Sequence, residues 1–127
     1  MPRYKGNSQI HIIGERRNVA DYMALADFFV LSSDYEGLPL SLLEAMSMGV
    51  MPISTPAGGV VDVIENGKNG YCSPSFDDEG FYQTICRALD ERGKLSRSLI
   101  KKEYEDNYSM KVCAQKYYDV YNELLKK

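Results

Sequence analysis

The sequence predicts an α/β fold in which short parallel strands alternate with helices. Three apolar runs, at residues 10–13, 28–31 and 50–54, have the length of strands, and a segment with helical spacing follows each of them. Strands that alternate with helices pair in parallel through right-handed crossovers. We therefore expect a Rossmann-like three-layer α/β/α domain with a short parallel sheet of about four strands.

The predicted strands begin after a polar lead-in at residues 1–9. The first is a short apolar run at residues 10–13. The second, at residues 28–31, is apolar throughout, as expected for a strand that is covered on both faces. Residues 50–54 form the third strand, and residues 71–72 form a short fourth strand after a turn.

Six helices are predicted between and after these strands. Asn18 and Ser109 stand where they can cap the first and the last helix. Pro39 lies near the first turn of the second helix, where its missing N–H does no harm. Gly49 ends that helix, and Gly93 separates two later ones. The predicted helices comprise residues 18–25, 39–49, 60–65, 77–92, 96–106 and 110–126.

Length and composition indicate one soluble globular domain that spans residues 1–127. Hydrophobic residues make up 44% and charged residues 26%, and the net charge of −3 argues against a nucleic-acid partner. No apolar run approaches the ~20 residues of a membrane span. The three cysteines lack the spacing of a disulfide framework or a zinc site. We expect a cytoplasmic protein, or a protein at the membrane surface in a longer parent enzyme.

Two glutamates stand in one of the most apolar parts of the chain. Glu36 precedes the helix that is predicted to begin near Pro39, and Glu44 lies on that helix. Helical periodicity places Ser41 and Glu44 on one face and the leucines on the opposite side. Carboxylates there can accept hydrogen bonds from vicinal hydroxyls, while free helix N–H groups hold phosphate oxygens. That combination suits a nucleotide sugar, although a loop charge and a solvated helix face explain the spacing equally well.

Ligands of such sheets bind beyond the carboxyl ends of the strands. The loops there comprise residues 14–17, 32–39 and 55–59. Gly58 and Gly59 permit close backbone approach before a helix, but they match neither the dinucleotide-binding pattern nor the P-loop pattern. His11 is the only histidine and lies in a predicted strand, so no histidine-based catalytic triad is expected.

The segment from residue 10 to residue 72 resembles the C-terminal nucleotide-binding lobe of retaining glycosyltransferases with two Rossmann-like domains. These are the glycosyl transferases group 1 of the GT-B fold, typified by glycogen synthase-like and lipopolysaccharide or capsule transferases. The resemblance extends to about residue 125. Its matching features are Gly14, Ala26-Asp27, Ser32, the pair Glu36 and Glu44 with seven residues between them, Ala45-Met46, Gly49, Gly58-Gly59, and the turn from Gly67 to Gly70.

The resemblance implies transfer of a sugar from a nucleotide-sugar donor to a glycan, polysaccharide or lipid-linked acceptor, as in polysaccharide biosynthesis. Glu36 is then the catalytic-site residue that contacts the donor sugar, and Glu44 accepts hydrogen bonds from the ribose hydroxyls. The other expected donor contacts are the backbone amides at Gly37, Leu38 and Leu40, near the sugar and the diphosphate, and the loop at Glu15 and Arg16, near the base. No cofactor and no bound metal are expected, because positive side chains stabilise the departing diphosphate.

Three departures from the family pattern limit this expectation. The arginine and the lysine that stabilise the diphosphate normally lie upstream, and neither Arg3 nor Lys5 matches them. The acceptor-binding N-terminal lobe has no counterpart in the chain. Asp62 stands where the family usually has glutamate. We therefore expect a partial, truncated glycosyltransferase lobe that is inactive alone and needs the missing lobe as a partner. The alternative is a non-catalytic α/β binding or interaction module.

The family strand order also predicts an open sheet edge. In the order 3-2-1-4-5-6, the run at residues 10–13 is the third strand and the run at residues 28–31 is the fourth, which normally pairs with the first. Either residues 10–13 move over to pair with residues 28–31, or another copy of the chain covers that edge. In both cases we expect a homo-oligomer with one of these runs at the contact.

Overall fold

The computed structural model describes residue 4 and residues 6–126, so Arg3, Lys5 and part of the lead-in lie outside the described residues. The described chain has an α/β fold. The three strands are β1 (Phe28–Leu31), β2 (Met51–Ser54) and β3 (Tyr71–Cys72). The helices are α1 (Val19–Leu25), α2 (Leu40–Ser47), α3 (Val60–Val63), α4 (Asp78–Asp90), α5 (Arg97–Asn107) and α6 (Met110–Leu125). Among these helices, none is both long and apolar enough to cross a membrane.

The sheet is parallel and has the order β1-β2-β3. Phe28 pairs with Met51, and Ile53 pairs with Tyr71. Every residue of the central strand β2 is buried, whereas β1 is only partly buried and Val30 is 51% exposed. Parallel pairing is confirmed. The expectation that β1 is covered on both faces is wrong for the described residues.

The strand that was predicted at residues 10–13 does not form. This segment has no regular secondary structure, and Ile12 is 74% exposed. A strand is stable only beside a second backbone, and the family order places two other strands between the third strand and the fourth. The described sheet therefore has three strands rather than about four. The proposed shift of residues 10–13 onto β1 is wrong.

Side-chain caps fix the start of the three long helices. Asp77, Ser96 and Ser109 each precede a helix and accept a hydrogen bond from a backbone N–H in its first turn. Asn18 precedes α1 as predicted, but its side chain donates to the Asp21 carboxylate at 3.1 Å instead. The position of this helix start is confirmed, and the expected side-chain cap is absent.

The hydrophobic core lies around β2 and the helices that pack on it. Leu42 and Met46 of α2, Ile53 of β2, and Ile100 of α5 are buried there. The side of α2 opposite to Glu44 is therefore buried, as its periodicity predicted. The strand β3 adds Tyr71, the largest fully buried side chain. This core holds the carboxyl edge of the sheet and the start of α2 in place.

Candidate functional site

Two loops meet at the carboxyl edge of the sheet. The loop after β1 carries Glu36, and the loop after β2 crosses beside it. Thr55 donates its backbone N–H to Leu31 O at 3.1 Å and its hydroxyl to Ser33 O at 2.5 Å. Gly59 donates its backbone N–H to Gly37 O at 2.6 Å. The Glu36 loop is therefore fixed by backbone bonds to a loop that follows the next strand.

Gly58 makes this close approach possible. Its φ of +53° lies in the left-handed region, where a residue with a side chain is strained. A Cβ atom at Gly58 would overlap the carbonyl oxygen of Glu36 and would lie 2.5 Å from that of Gly37. The glycine pair therefore serves the packing of the Glu36 loop. The sequence shows this glycine pair but carries no signal of its contact with the Glu36 loop.

The two glutamates lie on either side of the N-terminus of α2. Glu36 is half-buried in the loop, and Glu44 is exposed in the middle of the helix. Within the described part of the chain, neither carboxylate forms a salt bridge. Within the described residues, both side chains can therefore accept hydrogen bonds.

The remaining predicted contacts divide into two groups. Gly37, Leu38 and Leu40 lie with Glu36 on one continuous segment, and Leu40 is 71% exposed. Glu15 and Arg16 are exposed in the irregular segment that precedes α1. His11 is exposed in the same segment rather than placed in a strand. Among the described residues, no group of three or more His, Cys, Asp or Glu side chains could hold a metal ion.

Comparison with known proteins assigns the chain to a family. The model of the family described as "Glycosyl transferases group 1" matches residues 2–91. The chain belongs to this family. It is 34% identical over 119 residues to the N-acetyl-alpha-D-glucosaminyl L-malate synthase of Bacillus anthracis, a match that covers 88% of this chain and 31% of that protein.

Solved structures show that this group 1 chain has the Rossmann-like fold of a GT-B lobe. Sucrose-phosphate synthase from Thermosynechococcus elongatus aligns with a TM-score of 0.79 at 22% identity, over 97% of this chain and 32% of that one. Anabaena Alr3699/HepE, solved in complex with UDP, aligns with a TM-score of 0.76 at 18% identity, over 87% of this chain and 31% of that one. The chain therefore spans about a third of the length of these proteins.

A buried tyrosine joins β3 to α4 in this group 1 lobe. The Tyr71 hydroxyl donates to the Glu91 carboxylate at 2.7 Å, and the Arg87 guanidinium lies 5.4 Å from the centre of the Tyr71 ring. Burial, together with the hydrogen bond to Glu91, raises the pKa of Tyr71 to about 12. The sequence predicts that Tyr71 lies in a strand, but it carries no signal for the partner Glu91, which lies 20 positions away.

This raised pKa predicts a loss of stability in alkali. The folded lobe keeps Tyr71 protonated, whereas the unfolded chain releases the proton near the ordinary tyrosine pKa of 10.0. The contribution is fully present below pH 10 and is lost as the pH rises from there to about 12. Urea unfolding between pH 8 and pH 12 should show a smaller alkaline loss for Tyr71→Phe than for the unmodified chain. Exposed Tyr118→Phe is the matched variant, and equal loss in all three proteins would contradict the assignment.

Proposed function

We propose that this chain forms part of the donor site of a glycosyltransferase. The enzyme transfers a sugar from a nucleotide sugar to a glycan, polysaccharide or lipid-linked acceptor. The observation that carries the proposal is the Glu36 loop, which the bond from Gly59 N–H to Gly37 O holds beside the N-terminus of α2. The UDP complex of the similar HepE structure supports a nucleoside diphosphate as the leaving group.

Each proposed contact follows from the chemistry of its side chain or backbone group. Glu36 accepts hydrogen bonds from the donor sugar, and the exposed Glu44 carboxylate accepts them from the ribose hydroxyls. Backbone N–H groups at the start of α2 are oriented toward anions, which suits the sugar diphosphate. The donor contacts that we assign to these groups are Gly37, Leu38 and Leu40, with Glu15 and Arg16 near the base.

The chain spans about a third of its relatives, so other parts of a complete enzyme would supply the remaining groups. Those groups are the acceptor-binding lobe and the positive side chains that stabilise the departing diphosphate. In this scheme no metal ion and no cofactor are used, and the electrostatic stabilisation comes from side chains. We place the enzyme in the cytoplasm or at the membrane surface. The chain by itself would be inactive.

Substitution of the two glutamates tests the proposal in the complete enzyme. Glu36→Ala should lower kcat about a hundredfold with little change in donor KM, because Glu36 contacts the reacting sugar. Glu44→Ala should mainly raise donor KM, by the equivalent of roughly 1–3 kcal/mol for hydrogen bonds to a charged group. Steady-state kinetics with UDP-, GDP- and ADP-sugars measure both effects.

Glu105→Ala, an exposed charge on α5, is the matched control and should leave both constants unchanged. Interchangeable effects of Glu36→Ala and Glu44→Ala would refute the separate roles. If the unmodified enzyme neither transfers nor hydrolyses any donor, the chain is instead a non-catalytic α/β binding or interaction module.

We further propose that the chain, when isolated, forms a homo-oligomer through the edge of β1. No other described strand pairs with that edge, and Val30 beside it is 51% exposed. An apolar edge strand without a neighbour is a template for association. Light scattering at micromolar concentration should give a dimer or a larger species. Val30→Lys should give a monomer, because a charged edge strand resists pairing. A strictly monomeric unmodified chain would rule out the association.

A further inference from the structure

Two aromatic side chains are exposed at the carboxyl edge of the sheet. Tyr35, which directly precedes Glu36, is 93% exposed, and Phe76, in the loop after β3, is 51% exposed. Together with Asp34 they line an open hollow of about 350 Å³. The donor contacts proposed above include none of these three residues. Two loops that leave different strands therefore converge on an aromatic hollow beside Glu36.

The composition of the hollow indicates the class of ligand. Covering an exposed aromatic ring with an apolar surface is energetically favourable. The Asp34 carboxylate accepts hydrogen bonds but repels phosphate and other anions. A sugar ring satisfies both requirements, because one face carries C–H groups and its rim carries neutral hydroxyls. A nucleotide would bring its phosphates toward Asp34, and the residues that line the hollow include no cation.

The size and the position of the hollow further restrict which ligands it can bind. Ligand sites occupy roughly 300–1,000 Å³, so this hollow lies at the lower end and suits one or two sugar units. Tyr35 directly precedes Glu36, so the hollow lies on the same loop as the proposed donor-sugar contact. A sugar that rests on Tyr35 would therefore lie next to the transferred sugar, where an acceptor has to lie for transfer.

We propose that Asp34, Tyr35 and Phe76 form a subsite for a neutral sugar unit of the acceptor. Tyr35 and Phe76 cover the apolar face of that sugar, and Asp34 accepts hydrogen bonds from its hydroxyls. The assignment to the acceptor rests on the proposed glycosyltransferase function, in which the other lobe of the complete enzyme supplies the rest of the acceptor site. The binding of a sugar in the hollow is testable without that function.

A fluorescent reporter tests binding directly, because the chain contains no tryptophan. Tyr35→Trp keeps the aromatic face and adds a single indole at the site. Titration with methyl α-glucopyranoside, methyl α-galactopyranoside and methyl N-acetyl-α-glucosaminide should give a saturable change in emission with at least one sugar. Adding Phe76→Ala should weaken that binding about fivefold or more. Adding Tyr82→Ala, an exposed ring on α4, should leave it unchanged. No saturable change with any of the sugars, or a change with UDP alone, overturns the subsite.

Kinetics of the complete enzyme separate the subsite from the proposed function. Tyr35→Ala should raise the acceptor KM about tenfold, while donor KM and donor hydrolysis without acceptor stay the same. If donor hydrolysis is present and the acceptor KM does not change, the subsite is wrong and the proposed function stands. If the unmodified enzyme uses no donor, the proposed function is wrong, and the fluorescence titration alone decides whether the hollow binds sugar.

Discussion

Gly58→Ala is expected to destabilise the fold by about 3 kcal/mol or more, because two costs add at one position. A left-handed backbone conformation costs a residue with a side chain roughly 1–2 kcal/mol. The new methyl group would also overlap the backbone of Glu36 and crowd that of Gly37. Relief of the overlap requires the Glu36 loop to move, so donor use in the complete enzyme should be lost as well. Urea unfolding of the chain and donor hydrolysis by the enzyme measure the two effects.

Gly67→Ala separates the overlap from the backbone strain. Gly67 has a similar positive φ of +77°, but a Cβ atom there meets only the flexible end of Arg87 at 3.7 Å. Gly67→Ala should therefore lower the free energy of unfolding by only the roughly 1–2 kcal/mol that the left-handed conformation costs. The difference between the two variants is the cost of displacing the Glu36 loop. Equal unfolding free energies for both would mean that the loop does not approach Gly58 so closely in solution.

Arg97→Met is expected to cost about 2 kcal/mol and to release α1 from the rest of the lobe. The Arg97 guanidinium donates to Ala26 O at 2.9 Å, Ala24 O at 3.1 Å and Met48 O at 3.4 Å. These carbonyls belong to the C-terminal ends of α1 and α2, where a helix leaves acceptors unpaired and favours a cation. No residue of α1 is buried, so these hydrogen bonds from Arg97 are a major connection between that helix and the rest of the lobe.

Amide hydrogen exchange measures most directly whether α1 detaches from the lobe in Arg97→Met. Amides of α1 should lose protection in Arg97→Met, while amides of the buried strand β2 should keep theirs. Arg92→Met is the matched variant, because Arg92 is exposed and donates at 3.5 Å to Leu89 O on the helix that precedes it. Protection of α1 that is the same in both variants would show that other contacts hold this helix.

Local patterns predicted most of the secondary structure. The strands β1, β2 and β3 are short apolar runs between turn residues, and Ser109 marks the start of α6 by its side chain. The 3.6-residue period placed Glu44 opposite to the buried leucine Leu42. Such features depend on residues within one or two turns of each other. The run at residues 10–13 has the same local pattern as a strand, but pairing depends on a neighbouring backbone that a local pattern does not reveal.

The contacts that fix the Glu36 loop and α1 join distant parts of the chain, so no local pattern in the sequence reveals them. The bond from Gly59 to Gly37 and the overlap at Gly58 depend on how two loops cross. Arg97 reaches carbonyls that lie 49, 71 and 73 positions away. One signal for it does exist in the sequence. A cation in the first turn of a helix is unfavourable, so an arginine there indicates a partner outside that helix.

The strand order β1-β2-β3 has a consequence for how this lobe folds. Each strand pairs with the next one along the chain, across a single intervening helix. The paired residues lie 23 positions apart between β1 and β2 and 18 positions apart between β2 and β3, and the entropy of closure rises only slowly with segment length. Pairing within residues 28–72 can therefore begin while later parts of the chain are still being synthesised, and Ile100 of α5 completes the core afterwards. The loops that carry Glu36 and Gly58 would then reach their crossing early, before α6 has formed.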